Sequence, residues 1–391
     1  AASDVYKRQP LSEAFVESAV AAGIQENPTH FGPNLDGVSL SKTTTRDGHR
    51  YDAATAYLGP LSNNSLLQIV TGALIDKVIV EDGVATGVRY LIDGQPVESR
   101  ASREVIVSAG VFGTPEILQR SGIGPADHLS ALGITPVADL PAVGANLMDH
   151  PMTLMNWEIE GDQVGLFDAD DPSYVAMWAE EGKGKLTSNV AEATAHVRTE
   201  PGLPAPDFQI VFVPSYFREH GAQVHDKPAF TLGQSYWTPT SVGTVLIASA
   251  DPQRRAQVHL NLLSDRAEIA AMIRAIRLSR EIVSSGPLAS HAGVELSPGL
   301  QIDSDDDLEA WIRANVEHTY HPSCTVRMGT DGALDSQLRV RGVAGLRVAD
   351  ASVFPVIPRA NTNMPAVVVG ERCADFIIRS KKAAESVAAA R

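Results

Sequence analysis

Apolar positions recur at helical spacing over residues 11–23, which end on a glycine stop, and again over 51–58. They do so most clearly over 265–282, where Ile269, Met272, Ile273, Ile276 and Ile282 form one stripe and Asp265 and Glu268 have the spacing of a capping box. Short β-branched runs predict strands at 67–71, 77–81 and 85–91. Asp82-Gly83 and Asp93-Gly94 are hairpin turn pairs, so a small meander is expected. Residues 104–108 (EVIVS), with an unbroken apolar centre, read as a strand covered on both faces, and Thr114-Pro115 predicts a helix with proline in its first turn. From 152 to about 263, alternating runs such as 207–213 and 243–249 predict an inserted antiparallel sheet. A second buried strand at 346–349 leads through a proline-rich loop to a helix over about 364–379, and the tail beyond Ser380 is expected to fray. Residues 27–50 carry no period and read as loop, and the chain has no internal repeat.

Composition narrows the possibilities. The chain has 391 residues, 44% hydrophobic and 20% charged, with 32 Lys plus Arg against 47 Asp plus Glu, a net charge of −15. Such a chain folds into two or three domains, and its field repels phosphate backbones and anionic membranes. Nucleic acid is not an expected partner. Nothing in the sequence has the length of apolar run that a membrane helix requires, so a cytoplasmic protein is the expectation. Cys324 and Cys373 are too few for a disulfide scaffold and are read as reduced thiols. Residues 4–9 (DVYKRQ) match the translation of a transposase adapter used to fragment DNA, so residues 1–9 are read as a scar, with native sequence from about Pro10.

The densest chemistry lies at 318–329, where His318, His321 and Cys324 recur at spacings of three. Three readings compete. A zinc site is one, although Pro322 breaks the helix that would align the ligands and no fourth ligand is evident. A packed polar turn is another. The third is a base: an imidazole titrating near neutrality takes the proton of an alcohol as it is oxidised. In the segment 350–376 a strand ends at Asp350, and Pro365 stands early in the following helix. Free backbone N–H groups then face the loop holding Asn361 and Asn363. Such a helix end stabilises an anion, and a ring that becomes anionic on reduction, such as a flavin, suits it; an ordinary strand, turn and helix is the alternative.

The run 110–129 (GVFGTPEILQRSGIGPADHL) resembles the second signature of the glucose-methanol-choline (GMC) oxidoreductases. The segments 140–151 (LPAVGANLMDHP), 320–329 (YHPSCTVRMG) and 350–376 are similar to further blocks of that family, in order and register. The wording of the His-Pro-Ser-Cys-Thr block is most like choline dehydrogenase and related bacterial alcohol dehydrogenases. The resemblance implies FAD as cofactor and oxidation of an alcohol, with the proton going to a base and hydride to flavin N5. By it His321 is the base and Asn363 its partner. Ile75 matches the position whose backbone meets the adenine, Asp350, Ala351 and Met364 match positions along the pyrophosphate and flavin, and Tyr320 joins them as a cofactor contact. No metal is implied, and the electron acceptor is left open between oxygen and a quinone-like molecule.

The expected architecture is therefore α/β (α+β), a Rossmann-like FAD-binding domain with an inserted antiparallel substrate domain. The partition runs 10–151 for the first FAD-binding part, 152–300 for the substrate domain with Tyr236 and Trp237 as candidate aromatic walls, 301–380 for the last FAD-binding part, and 381–391 for the tail. The family's opening strand, Gly-x-Gly-x-x-Gly turn and acidic ribose ligand are not found in this sequence, since Gly122-Ile-Gly124 lacks the third glycine and follows a helix; the FAD-binding domain is thus expected to lack its first βαβ unit. Val111 stands where the second signature usually has a small residue. Two other functions remain in view: a lyase of the same fold that cleaves cyanohydrins without net redox change, and a non-catalytic fragment or binding module.

Overall fold

Alternation of side chains along each strand explains the larger of two sheets. The computed structural model describes residues 10–29 and 32–389, the stretch 381–389 as helical backbone only, and the adapter-like residues 1–9 lie outside it. The chain divides into two units, the first made of 1–65, 150–240 and 263–319, the second of 66–149, 241–262 and 320–391. The segment 10–65 thus falls with the antiparallel sheet, and 241–262 falls outside it.

In the first unit seven antiparallel strands form one sheet. Its order is Gly37–Leu40, Ala193–Val197, Phe208–Val213, Ala229–Tyr236, Pro151–Ile159 and Ala292–Ser297, with Glu317–His318 also on the Pro151–Ile159 strand. The first of these strands lies in the stretch read as loop; its pairing with Ala193–Val197, Val38 opposite Ala195, overrides the weak local pattern. One face of the sheet is apolar and packs on the helices Pro10–Ala21 and Arg266–Ser284, with Phe15 stacked on Phe212 at 5.0 Å. The other is polar yet buried: His196 lies opposite Gln209, Gln209 opposite Ser235, and Asn156 opposite Thr231. Asp265 caps the Arg266–Ser284 helix by accepting the N–H of Ala267 at 2.9 Å. Glu268, three residues on and buried, accepts the N–H of Thr240 at 2.6 Å.

The second unit contains the meander and two parallel strands; Leu346–Val348 is buried throughout, whereas Val105–Val107, expected to be covered on both faces, leaves Ile106 44% exposed on one. Leu74–Glu81, Val84–Ile92 and Gln95–Arg100 pair antiparallel through two tight turns, with positive φ at Asp82, Gly83, Asp93 and Gly94 as mirror-image hairpin turns require. The run 67–71, expected to be the first strand, is not in a sheet. No described strand pairs with it, and Leu66 beside it is 94% exposed, so its β-propensity has no ladder to act in. Strands Val105–Val107 and Leu346–Val348 pair parallel in register, Val105 opposite Leu346. The run 243–249 supplies only Thr244–Leu246, paired with Gln257–His259 in a separate ladder. Gln119 of the helix Gly110–Arg120 holds that ladder, accepting the N–H of Ile247 at 3.0 Å and donating to the carbonyl of Val245 at 2.9 Å. The last helix runs Asn363–Ala389, past Ser380 where fraying was expected.

Candidate active site

Each parallel strand of the second unit ends in a turn that opens toward a helix, and side chains tie the two turns together. Val105–Val107 leads into the helix Gly110–Arg120, so Pro115 sits inside that helix and not in its first turn. A proline there has no N–H for the carbonyl four residues back, that of Val111. The buried hydroxyl of Thr325 donates to that carbonyl at 2.7 Å instead, which fastens the 320–329 block to the helix. Leu346–Val348 leads to Asp350, whose carboxylate works as a clasp. One oxygen accepts the N–H of Gly110 at 3.0 Å and the hydroxyl of Thr114 at 2.5 Å, and the other accepts the N–H of Ser352 at 2.8 Å.

The turn 320–324 is laid onto this frame. The N–H of Cys324 donates to the carbonyl of Ala351 at 3.2 Å and that of Val326 to the carbonyl of Ser352 at 2.9 Å, so the 324–326 end of the block lies against the turn that follows Asp350. On its other side Ser323 and Met148 exchange backbone hydrogen bonds at 2.9 and 3.1 Å, and Gly144 donates to the carbonyl of Thr325 at 2.7 Å. Gly144 has φ +84, and a Cβ there would meet the carbonyl oxygen of Val245 at 2.2 Å, so only glycine fits this crossing. Tyr320 and Cys324 have φ +59 and +75. Left-handed backbone at non-glycine residues costs on the order of 1–3 kcal/mol each and persists where surrounding bonds impose it.

His321 is 8% exposed. Its Nε2 lies 3.2 Å from the Nδ2 of Asn361, so the amide N–H donates to an imidazole nitrogen that carries a lone pair. Its backbone N–H donates to Asp149 Oδ1 at 3.0 Å, and its carbonyl accepts the Ser323 hydroxyl at 3.0 Å. The asparagine that reaches His321 is thus Asn361, where the resemblance assigned Asn363. Asn363 is exposed and is the first residue of the last helix, and Ala366 closes that helix's first backbone bond to Thr362 at 3.0 Å. Met364, the next residue, is 52% exposed at this positive helix end. Asn361 stands in the same loop as Asn363, and no spacing rule separates the two. Asp149, Thr114 and Thr325 were legible only as members of the quoted blocks.

Ile75 lies elsewhere in the unit. Its carbonyl accepts from Arg120 at 3.2 Å, and the carbonyl of Asp76 accepts from Arg120 Nε at 2.8 Å. Asp350 and Ile75 therefore mark opposite ends of the eleven-residue helix Gly110–Arg120, about 16 Å at 1.5 Å per residue.

The remaining members of the 318–324 cluster have other surroundings. His318 belongs to the first unit, where its ring meets that of His220 at 4.9 Å. Burial, with the His220 imidazole beside it, holds it below the usual histidine range against the opposing pull of Glu317. Burial pushes the Cys324 thiol up to about 12, so it stays protonated and is no thiolate ligand. Among the described residues no group of three or more His, Cys, Asp and Glu is placed to hold a metal, and no helix is long and apolar enough to cross a membrane. Trp237, offered as an aromatic wall, is enclosed beside His196 at 4.6 Å, and Tyr236 packs on Phe208 at 5.1 Å.

Two family models described as GMC oxidoreductase match residues 1–152 and 239–370. The chain is 36% identical over 390 residues to an oxygen-dependent choline dehydrogenase of Rhizobium johnstonii, covering 96% of this chain and 70% of that protein. It is 37% identical over 387 residues to an alcohol dehydrogenase [acceptor] of Pseudomonas putida, covering 97% and 70%. A solved structure of Aspergillus oryzae formate oxidase, from a study of FAD modification, superposes with a TM-score of 0.89 at 27% identity, covering 95% of this chain and 70% of that one.

Proposed function

The chain belongs to the GMC oxidoreductase family and oxidises an alcohol with FAD as its cofactor, and we propose that His321 is the base that takes the hydroxyl proton. The observation that carries this is the Asn361 amide, held 3.2 Å from His321 Nε2 in a nearly closed site. A substrate hydroxyl entering between the two donates its proton to Nε2 and accepts from the amide N–H. As the proton moves, negative charge develops on the substrate oxygen, where the fixed dipole of Asn361 stabilises it. The base itself is held at both backbone groups, so its direction is set before substrate arrives.

The chain's residues fit an extended dinucleotide cofactor. The Ile75 backbone and the Asp350–Ala351 turn sit about one helix length apart, about 16 Å, suited to a ligand with separate adenine and flavin ends. The end of the Asn363–Ala389 helix offers free N–H groups beside the exposed side chain of Met364, a setting for a ring that is apolar and turns anionic. Ile75, Tyr320, Asp350, Ala351 and Met364 would hold FAD there. FAD, when bound, supplies the hydride acceptor that turns an alcohol into an aldehyde or ketone. The two free, buried thiols suit the reducing cytoplasm as the protein's compartment.

Replacing His321 by Ala in the FAD-loaded protein is expected to lower turnover at least about a hundredfold, the scale of removing a general base. Steady-state turnover of an alcohol the wild-type protein oxidises is the measurement, and an unchanged rate rules out the assignment.

A further inference from the structure

No helix or strand holds His321. Strand Glu317–His318 ends three residues before it, and Pro322, which follows it, cannot donate a backbone hydrogen bond. Two left-handed residues, Tyr320 and Cys324, bracket the turn, so its shape is not one that the chain adopts by local preference. The N–H of His321 is enclosed, and a buried donor without an acceptor is costly. The acceptor it finds is the carboxylate of Asp149, itself 3% exposed, at 3.0 Å. Asp149 is in turn fixed by its own segment. Met148 next to it exchanges two backbone hydrogen bonds with Ser323, and Leu147 exchanges two more with Gly243 at 3.0 and 2.7 Å.

We propose that Asp149 is a positioning residue for His321, its carboxylate holding the 320–324 turn in its left-handed form so that the imidazole meets Asn361. This rests on reading His321 as the base. The carboxylate is nearly enclosed, so its contribution runs through the His321 backbone and not through contact with substrate. The role has a clear chemical requirement, an oxygen acceptor at Oδ1 of position 149. An ionised acceptor makes the shorter and stronger bond, yet a neutral amide oxygen still satisfies the donor. With no acceptor, the N–H of His321 loses its partner and Tyr320 is released toward ordinary negative φ, which swings the imidazole away from Asn361.

The test compares Asp149→Asn and Asp149→Ala with His321→Ala, all loaded with FAD, by kcat, KM for one alcohol and flavin absorbance per protein. Asp149→Asn keeps an oxygen acceptor and is expected within about threefold of wild-type kcat. Asp149→Ala is expected to lose at least tenfold in kcat, with KM within twofold and flavin content unchanged; a defect of general folding would lower flavin content instead. Wild-type kcat in Asp149→Ala overturns the proposal, as does a tenfold loss in a flavin-replete Asp149→Asn. Where Asp149→Ala retains no flavin, the Asp149→Asn result alone decides on the same limits. His321→Ala separates the two readings: if it keeps wild-type turnover the base assignment fails, and if it is inactive while Asp149→Ala is not, only the positioning role fails.

Discussion

The two units reach order by different means. In the first, a sheet of seven strands is covered on one face by two amphipathic helices, and its register follows from alternation along each strand. In the second, the strands that carry the site are three residues each, and what holds the functional loops is a set of side chains bonded to backbone. These are Asp350 on Gly110, Thr325 on Val111, Asp149 on His321 and Gln119 on Ile247. Packing tolerates changes of residue that keep volume and pattern, whereas a clasp needs one donor or acceptor at one place. The first kind of order therefore sets stability, and the second sets the geometry on which turnover depends.

Three changes bear on this contrast, beginning with the largest. Phe15→Ala removes a fully buried ring stacked on Phe212 and should cost about 3–5 kcal/mol, read from the denaturant midpoint. A cost below about 1 kcal/mol would mean that the helix–sheet packing of the first unit does not carry its stability. Next, Cys324 provides a pH-dependent probe of the second unit. Its folded-state pKa, about 12, lies above the unfolded value, so the folded form binds the proton more tightly. The stabilisation is full below about pH 8.5 and is lost as pH rises toward 12. At pH 10.5 the protein should have lost about 2–3 kcal/mol relative to pH 8, and Cys324→Ala should abolish that part of the slope. Smallest in stability is Thr325→Val, which deprives the Val111 carbonyl of its hydroxyl donor at a cost of about 1–2 kcal/mol. Its effect on kcat should exceed its effect on stability, at about a hundredfold or ~2.7 kcal/mol of barrier, because the same bond seats the 320–329 block; equal losses would erase the distinction between packing and clasps.

The same division governs what the sequence reveals. Elements that depend on local chemistry were legible: the turns at Asp82-Gly83 and Asp93-Gly94, the apolar stripe of Arg266–Ser284, and the strands at 105–107 and 346–348, of which only the second is buried on both faces. Elements that depend on a distant partner were not. Gly37–Leu40 becomes a strand only by pairing with Ala193–Val197, and the more strand-like run 67–71 has no described partner and stays irregular. Pro115 at the sixth position of its helix is tolerated because a hydroxyl 210 residues later serves the freed carbonyl. The site shows the same limit. His321 stood out as a titratable group in a dense motif, but the choice between Asn361 and Asn363 depends on where the last helix begins. Two residues turn an amide from the loop facing His321 to an exposed helix start. Asp149 left no chemical signal at all, since its role lies in a backbone N–H 172 residues away.

Anaerobic mixing of the FAD-loaded protein with an alcohol it oxidises, following flavin absorbance, tests the pairing of His321 with Asn361 most directly. Bleaching isolates the reductive half of the reaction from the electron acceptor. The account predicts rapid bleaching in wild type, bleaching at least about a hundredfold slower in His321→Ala, and an intermediate rate in Asn361→Ala, with flavin bound in all three. Bleaching of His321→Ala at the wild-type rate would contradict it.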